Sequence, residues 1–574
     1  MSEVKRIIGI LYILSAFCFA EWSGDASQPS SSREVGGKIY WSITSPEELA
    51  WFKAQIEAGN DSINAVLEND IFMGKDSASV SSAVWTAIGA PDSIVFKGVF
   101  DGNHHAIYGL KSVGSVSNHG MFGLFGIVGG QGVIKNLNLK NIDMNSDFSN
   151  EIAPCGGGIV AYLLNGTVDS SFVSGRMNAK RTSFAGGLVG QNARGTVSHS
   201  TNKVVITHTG EYTGYYVGGI VGKNGGTVSN CVNYAAMSGS GAKSIRVAGT
   251  IGGIVGYNAG GKIMECVNVG NIHVDTKTEM STRNAEARVG GIAGFNYQGS
   301  VSKCANYGSM KAQASSELSK DYDTGNPVIN YPEAGGIVGV SLDGLVENVV
   351  NYGTVEATCP NVENSAAAGG IVGMLNNSGI TNSYSMASVQ SDNMAGSLVG
   401  MAKDTSSLSR IYAVDGDKLK TVASIDSLAT ISETKGVSKT EAENSNFVDL
   451  LNQNASADNK IWSRCADKGL PIIASLAEYM CLEDLLSLAV PLDSTGKGTT
   501  VLSGVKNIGL HNVQVVGRDL QITTPDFNAL VSVFDSRGKM LYQSSWGMNR
   551  RYRVARAGRY ILKIDQDIRV ITIK

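Results

Sequence analysis

The sequence predicts an all-β fold: a right-handed parallel β-helix (solenoid) with an N-terminal capping helix and a small C-terminal β-sandwich domain. The first observation is that one segment, GGIVGKNGGTVSNCVNY at 218–234, returns in altered form along the chain. The second is that each copy holds two short β-type runs separated by glycine and asparagine turn residues. The third is the composition, because 70 glycines in 574 residues with 17% charged residues favour stacked β-coils over a disordered chain.

The copies keep their internal spacing while the distance between them varies. Their first glycines lie at 157, 186, 218, 252, 290, 335, 369 and 396, so successive copies are 27 to 45 residues apart. From the first glycine to the small residue before the asparagine, the distance is 13 or 14 residues in the copies that begin at 218, 252, 290 and 335. A constant part must stack on its neighbours, whereas a variable part need not. We therefore expect the long variable segments, about 270–289 and 309–333, to be loops.

Alignment of the copies gives four columns that stacking would bury or order. The first is aliphatic, the second is mostly valine, the third is small, and the fourth is asparagine, which suits a ladder of side-chain amides. The valine and small columns are three residues apart, so a turn or bulge between them is predicted. In this order the columns are Ile159, Leu188, Ile220, Ile254, Ile292, Ile337, Ile371 and Leu398; Val168, Val197, Val228, Ile263, Val301, Val346 and Ile380; Ser171, Ser200, Cys231, Cys266, Cys304, Val349 and Ser383; and Asn202, Asn233, Asn268, Asn306 and Asn351.

The repeated segment, written G-G-I-V-G-x-N-x-G-x-V-x-N-C-x-N-x-G, resembles the GLUG motif of bacterial cell-surface and secreted proteins. The resemblance covers roughly residues 155–400. It implies that the chain works at or outside the cell surface, as an exported repeat protein.

The N-terminal end predicts export. Lys5 and Arg6 precede an apolar run at 7–20, which is typical of a secretory signal peptide, and we place its cleavage after Ala20. The run is too short for a comfortable membrane span, and no other apolar run approaches that length. We therefore expect no transmembrane span in the mature chain and an extracellular or outer-surface location.

Residues 35–110 are predicted to form the N-terminal cap and first coils, and 111–403 the GLUG-type solenoid. Ser45, Pro46 and Glu48 have the pattern of a helix N-terminus, with Ser45 as N-cap and Glu48 closing a capping box. The amphipathic helix is expected to end at Gly59. Laid over the open end of the stack, such a helix would block edge-to-edge pairing.

The C-terminal third is predicted to hold a closing segment at 404–484, with a helix at about 440–451, and a linker at 485–500. Residues 501–574 show strand-like alternation and two hairpin turns, and they resemble the C-terminal sorting domain of type IX secretion substrates. The resemblance implies a β-sandwich that contacts the secretion machinery. Twelve Lys and Arg against five Asp give this domain a charge of +7. An ordinary ligand-binding β-sandwich is the alternative.

The cysteines divide into two groups. Cys231, Cys266 and Cys304 share one repeat column and are expected to be small buried stack residues; a metal site has no Cys-x-x-Cys and no nearby histidine to support it. Cys465 and Cys481 lie 16 residues apart in a chain expected to be exported, so they are the disulfide candidates.

Two groups of polar residues are candidates for a metal or calcium site, and each has a simpler interpretation. Asp101 with His104 and His105 is first of all a turn signal, and a third ligand is missing. Asp321 and Asp323 lack the spacing of an EF-hand loop. No metal and no cofactor is therefore predicted.

Two groups are candidates for contact with a ligand. Tyr212, Tyr215 and Tyr216 precede one copy of the repeat, where they would either stack on sugar rings or cover the edge of the solenoid. The long variable segments are the parts free to differ from the stack, so a ligand-contacting role is the alternative to a solvated excursion.

No catalytic constellation is found in the sequence. In the column before the cysteines, Glu265 and Lys303 are neighbours, more typical of a surface salt bridge than of acid–base catalysis. Repeats of this type also occur on bacterial metallopeptidases that cut antibodies. Their zinc helix needs His-Glu-x-x-His, and none of the seven histidines here is followed by glutamate.

The sequence therefore predicts an adhesin-like, non-enzymatic protein that binds an extracellular polysaccharide or protein ligand. A net charge of −3 gives no reason to expect nucleic acid as a partner. The alternative function is a polysaccharide lyase or hydrolase of the β-helix class, because fold alone does not exclude catalysis.

Overall fold

The computed structural model describes residues 21–482, apart from 91–93, 116–118, 148–153, 211–213, 242–246, 279–283, 318–319, 321–327, 361–364, 416–418, 454–459 and 466–467, together with Leu485 and seven strands between 512 and 573. The fold of these residues is all-β with a β-helix architecture, in which most strands pair in parallel with the strand one repeat later. The predicted signal peptide at 1–20 and nearly all of the predicted linker at 485–500 lie outside the described residues.

Two of the three long sheets flank the glycine pair of each repeat. Sheet 1 has nine strands, most of which reach the first glycine of the pair, and sheet 2 has ten strands that begin after the pair. The strands of sheet 1 are Met121–Phe122, Cys155–Gly157, Phe184–Gly186, Tyr215–Gly218, Val247–Gly252, Ala285–Gly290, Tyr331–Gly335, Ala367–Gly369 and Met394–Gly396. The strands of sheet 2 are Phe125–Val128, Val160–Leu163, Val189–Asn192, Val221–Asn224, Val255–Ala259, Ala293–Tyr297, Val338–Leu342, Val372–Asn376, Val399–Lys403 and Val422–Ile425.

Sheet 3 has 29 strands and carries the remainder of each repeat in up to three consecutive pieces. The first pieces are Asn64–Leu67, Val99–Asp101, Val133–Lys135, Thr167–Asp169, Thr196–Ser198, Thr227–Ser229, Lys262–Met264, Ser300–Ser302 and Leu345–Glu347. The second pieces are Ile71–Phe72, Ala106–Tyr108, Asn138–Asp147, Phe172–Lys180, Thr201–Gly210, Val232–Asn233, Val267–Asn268, Ala305–Asn306 and Val350–Asn351. The third pieces are Lys111–Gly114, Met237–Gly241, Ile272–Thr278, Met310–Ser316, Val355–Thr358 and Val389–Ser391, and the first two are fused in Gly379–Ser385, Ser407–Val414 and Thr430–Val437. The antiparallel pair Ser32–Val35 and Lys38–Ile43 begins the sheet.

The four predicted columns stack as the alignment implies. The Ile220 amide donates to the Ile254 carbonyl at 3.0 Å, and the Ile254 amide donates to the Ile292 carbonyl at 3.1 Å. The valine column is in register from coil to coil. All four columns are buried, and the aliphatic ones belong to one apolar cluster that extends from Trp22 to Val422.

The turn predicted between the valine and small columns is confirmed. One residue of each coil takes a left-handed backbone conformation there, with φ between 45° and 54° in the aligned copies. Such a residue reverses the strand alternation locally, so both flanking columns point inward. The residues at this position are Ser170, His199, Asn230, Glu265, Lys303, Asn348 and Asn382.

The expectation that the long variable segments are loops is wrong for most of their length. Within 270–289 the chain forms Ile272–Thr278 and Ala285–Gly290, and within 309–333 it forms Met310–Ser316 and the start of Tyr331–Gly335. Alternate residues of Ile272–Thr278 and most residues of the other three strands are buried, so the extra length widens sheets 1 and 3. The tips that contain 279–283 and 321–327 lie outside the described residues.

The N-terminal helix, Pro46–Glu57, begins where the sequence predicts, and Gly59 follows its last turn with φ +102°. The Ser45 hydroxyl accepts a hydrogen bond from the Glu48 amide at 3.3 Å. The capping box differs from the prediction, because the Glu48 carboxylate accepts from the Thr44 amide at 2.6 Å instead of the Ser45 amide. Buried Phe52 packs on Phe96 and Phe100 of the first coils, with centroids 5.8 and 5.6 Å away.

The chain after Val437 leaves the stack and packs against its side. We call residues 438–482 the lateral segment. It contains the helices Lys439–Ala442, Ser445–Leu451 and Ala477–Met480, the short 3₁₀ helix Ala474–Leu476, and the antiparallel strands Trp462–Cys465 and Lys468–Ile473. The single helix expected at 440–451 is therefore two helices, because Asn444 caps the second by accepting from the Asn446 amide at 3.0 Å. None of the helices in the described parts of the chain is long and apolar enough to cross a membrane.

The lateral segment covers an apolar stripe of sheet 3. Tyr384 lies at its centre, with ring centroids 5.6 Å from Trp462 and 6.1 Å from Phe447. The Tyr384 hydroxyl donates to the Pro471 carbonyl and lies 2.7 Å from the Tyr352 hydroxyl. The end of the stack is formed instead by Thr430–Val437, most of whose residues are exposed.

The described strands beyond residue 511 form two antiparallel sheets. One contains Asn512–Val516, Asp519–Thr523 and Asn549–Arg553, and the other contains Met540–Ser544, Val531–Asp535, Gly558–Ile564 and Asp567–Ile573.

Candidate functional site

The glycine pair of most repeats forms a tight corner between sheets 1 and 2, and Ser397 takes the second position of the pair in the last copy. A Cβ on Gly218 would lie 1.9 Å from the Val221 carbonyl oxygen, and one on Gly219 would lie 2.1 Å from the Gly253 oxygen. The backbone of successive coils therefore approaches too closely for any side chain. The outward-facing side chains just before and just after the corner are brought together on the surface.

Four aromatic rings from these two positions stack along the corner. The centroid distances are 5.9 Å between Phe184 and Tyr216, 4.9 Å between Tyr216 and Tyr257, and 5.3 Å between Tyr257 and Phe295. The planes differ by only 15° to 25°. Parallel rings in full contact lie about 3.5–4 Å apart, so these rings are offset, and part of each face stays uncovered. All four rings are partly exposed.

A lysine lies over the stack. The Lys223 ammonium is 5.1 Å from the Phe184 centroid and 5.8 Å from the Tyr257 centroid, within the range of a cation–π contact. Across the described residues, no carboxylate forms an ion pair with it. In the described structure this positive charge lies against the faces of two rings.

A charged triad continues the patch on sheet 1. Arg288 and Glu333 lie in the same column as Phe184 and Tyr216, and Glu286 lies two residues before Arg288 on the same strand. The Arg288 guanidinium donates through Nε to Glu333 at 2.9 Å, and its Nη2 forms an ion pair with Glu286 at 2.7 Å. Its Cζ is 5.5 Å from the Phe295 centroid, which joins the triad to the rings. We call Phe184, Tyr216, Lys223, Tyr257, Phe295 and this triad the corner patch.

The triad is largely buried, and burial acts on the pKa values of Glu333 and Arg288. Desolvation raises the pKa of the Glu333 carboxyl, and the opposing charge and hydrogen bond of Arg288 only partly offset this effect. Desolvation also opposes the charge on Arg288, but the Glu333 and Glu286 carboxylates outweigh it and raise the pKa of the guanidinium. The triad thus holds one fixed cation between two carboxyl groups that differ in their environments.

This triad was not predicted from the sequence, because its members lie before the first glycines, in segments that were expected to be loops. Glu286 and Arg288 belong to one segment expected to be a loop, and Glu333 belongs to the other. Arg288 and Glu333 both lie two residues before a first glycine, and the strand register places them opposite each other, 45 residues apart. The alternation of small or apolar residues with charged ones, as in 285–289, was the sequence signal that indicated strands.

The tyrosines proposed for sugar contact have different positions. Tyr216 lies in the corner patch. Tyr215 points inward, where its ring stacks on His208 at a centroid distance of 3.8 Å, and burial raises its pKa. Tyr212 lies outside the described residues.

The remaining candidate residues form structural features. The Lys303 ammonium lies 3.5 Å from the Glu265 carboxylate in a partly exposed salt bridge between neighbouring turns. Asn103 and His104 have φ values of 47° and 65°, as the turn interpretation requires. Over the described parts of the chain no group of three His, Cys, Asp or Glu side chains is arranged to hold a metal ion. Asp321 and Asp323 lie outside those parts.

The cysteines follow the expected division. Cys231, Cys266 and Cys304 are buried free thiols, and burial raises the pKa of Cys266 well above its usual value. Cys465 and Cys481 form a disulfide with Cα atoms 5.5 Å apart, inside the lateral segment.

Comparisons with known proteins add little to this description. No family model matches the chain, and no curated protein matches it. Among solved structures, the chain is similar to a protein from Bacteroides ovatus described as a proposed immunoglobulin A1 protease. That similarity has 17% identity and a TM-score of 0.27, over 76% of this chain and 92% of the other. A TM-score this low supports no conclusion about fold or function.

Proposed function

We propose that the chain is an exported, adhesin-like protein whose stack is a right-handed, closed β-helix and whose corner patch binds an extracellular glycan. The observation that carries the proposal is the row of offset aromatic rings with a cation above it. Sugar rings present apolar C–H faces that pack on aromatic faces, while their hydroxyl groups pair with charged side chains at the rim. The patch supplies both kinds of partner.

The direction of the row also suits a chain-like ligand. Successive rings come from successive coils, so the row follows the strand-to-strand direction with a step of about 4.8 Å. An extended polysaccharide would lie along several coils and repeat the same contact from one sugar to the next. Repeated weak contacts on one polymer raise its overall affinity, because each contact holds the next sugar at a high effective concentration near its ring.

Glycan binding is tested with the full chain and a panel of soluble polysaccharides, by titration calorimetry. We expect Tyr257→Ala and Phe295→Ala each to weaken binding by roughly tenfold, because stacking on a ring contributes about 0.5–1.5 kcal/mol beyond the area it buries. Tyr40→Ala, which removes a partly exposed tyrosine from the first coil, serves as the matched control. Equal affinity of all three variants and the unmodified chain would contradict the proposal.

A polysaccharide lyase or hydrolase is the second candidate, and the triad is the observation that favours it. Glycoside hydrolysis uses two carboxyl groups, one of which must keep its proton near neutral pH, and burial moves Glu333 in that direction. On this alternative, the chain releases reducing sugars or unsaturated products, and Glu333→Gln lowers the rate at least about a hundredfold. If none of the polysaccharides that bind is cleaved, the enzymatic alternative is excluded and the binding function remains.

We further propose that 501–574 is a β-sandwich that directs export through type IX secretion machinery and display at the cell surface. The described antiparallel strands and the charge of +7 support this proposal. Deletion of 501–574 is expected to leave a folded solenoid that accumulates in the periplasm. Normal surface display of the truncated chain would contradict the proposal.

A further inference from the structure

Lys223 differs from four lysines of the stack that are paired with carboxylates. Lys97, Lys135, Lys303 and Lys311 each lie within 3.5 Å of a carboxylate on an adjacent coil. The register places Gln191 and Tyr257 on either side of Lys223, and neither carries a negative charge. Its ammonium is therefore held in place by aromatic rings and has no anion beside it in the described structure.

The other cation of the corner patch is already neutralised. Arg288 pairs with both Glu286 and Glu333, at 2.7 and 2.9 Å. With both carboxylates ionised, the triad carries a net negative charge. The patch is therefore positive at Lys223 and neutral to negative at the triad.

We infer that the corner patch selects an acidic glycan, with the carboxylate of a uronate or the sulfate of a sulfated sugar paired to Lys223. The inference rests on the proposed glycan-binding function and specifies its substrate class. The acidic group lies at the Lys223 end, because the triad would repel it. The sugar that follows along the row packs on Tyr257 and Phe295 and places its neutral hydroxyl groups toward Glu286.

The physical basis is that an ammonium over aromatic rings keeps its charge but has lost part of its hydration shell. A charge-assisted hydrogen bond to an anion replaces that hydration. Surface ion pairs contribute little because both groups are well solvated and mobile. The rings restrict Lys223, so this pair is expected to be stronger than the exposed pair of Lys303 and Glu265.

The test compares matched polymers on the full chain: a polyuronate against its methyl ester, and a sulfated dextran against dextran. We expect the acidic member of at least one pair to bind about tenfold or more tightly than its neutral counterpart, with affinity falling as salt rises. The pair that shows the difference identifies a uronate or a sulfate as the acidic group. Lys223→Gln should remove this preference, Lys223→Arg should retain it, and Lys303→Gln should behave as the unmodified chain.

The outcomes separate this inference from the function on which it rests. Equal binding of the acidic and neutral polymers would overturn the acidic specificity, and so would unchanged selectivity in Lys223→Gln. In either case, a loss of affinity in Tyr257→Ala would still support glycan binding. Failure of every polymer to bind would overturn both. Thermal unfolding of each variant checks that a change in affinity does not come from a change in folding.

Discussion

The side-chain amide of Asn233 donates a hydrogen bond to the side-chain oxygen of Asn268 at 2.8 Å, although the two residues are 35 positions apart. The same contact, at the same distance, joins Asn202 to Asn233, Asn268 to Asn306, and Asn306 to Asn351. Every member is fully buried. Each amide also donates to a backbone oxygen two residues later, so the ladder fixes the turn of every coil as well as the stacking between coils.

Asn268→Ala should destabilise the stack because Asn233 loses an acceptor and Asn306 loses a donor. Buried groups without partners cost about 1–3 kcal/mol each, so we expect the free energy of unfolding to fall by roughly 2–4 kcal/mol. Urea denaturation measures the change. The exposed Asn446 serves as control, since Asn446→Ala should change stability by less than about 0.5 kcal/mol. A comparable effect in both variants would show that the ladder does not stabilise the fold.

Ile254 should tolerate a smaller side chain but not a charge. Ile254→Val removes one methylene from the buried aliphatic column and is expected to cost about 0.5–1.5 kcal/mol. Ile254→Asp places an unpaired carboxylate there and should open the neighbouring coils. Limited proteolysis with mass spectrometry should find new cleavage sites close to 220, 254 and 292. Protease resistance equal to that of Ile254→Val would mean that Ile254 does not face the core.

Acid should destabilise the protein through His208. Burial lowers the pKa of this imidazole to about 4, while its Nε2 donates to the Thr182 carbonyl at 2.7 Å. The unfolded chain takes up a proton near pH 6.5, so it binds more protons than the folded chain between pH 6.5 and 4. Stability is therefore complete above pH 6.5 and falls by roughly 3 kcal/mol as the pH drops to 4.

Denaturation midpoints at pH 7.5, 5.5 and 4.5 test this linkage. His208→Gln keeps a donor for Thr182 but cannot titrate, so its stability should fall less between pH 7.5 and 4.5. Other groups titrate in both proteins. The difference between the two proteins in how steeply stability falls with pH therefore isolates the contribution of His208. Identical slopes would assign the acid sensitivity to other residues.

Removal of the disulfide should loosen the lateral segment and leave the stack folded. Cys465 and Cys481 are 16 residues apart and close a loop within the segment. Closing a loop of this length stabilises a chain by roughly 3 kcal/mol. In Cys465→Ser/Cys481→Ser we expect hydrogen exchange to rise in 438–482 and to stay slow around Asn268. Reductant should reproduce this pattern in the unmodified chain and have no effect on the double variant. Unchanged exchange in 438–482 would show that apolar packing alone holds the segment.

The inward-facing columns were predictable because each coil repeats the same residue types at a fixed internal spacing. The left-handed turn was predictable for a related reason, since two buried columns three residues apart are incompatible with a straight strand. A second buried amide ladder, in which Asn192, Asn224 and Asn258 bond in sequence at 2.8 and 2.9 Å, was missed although each asparagine lies two residues after a repeat glycine.

The corner patch was missed because the copies were aligned only from the first glycine onward, and the segments before it were expected to be loops. Arg288 and Glu333 both lie two residues before a first glycine, so they fall opposite each other once those segments are recognised as strands. The position of the lateral segment could not be predicted from the sequence. Its docking depends on residues such as Val267 and Tyr384, whose outward direction follows from the left-handed turn before them.

The lateral segment changes how the stack is expected to fray. In a solenoid each coil touches only its neighbours, so coils open one by one from an end. Here a single register column supplies apolar residues from six consecutive coils to the cluster around Trp462 and Phe447; they are Val232, Val267, Ala305, Val350, Tyr384 and Tyr412. Loss of any one coil would disturb a surface shared by all six. That part of the chain should unfold as one cooperative unit. The lateral segment, which is translated after these coils, couples them to one another.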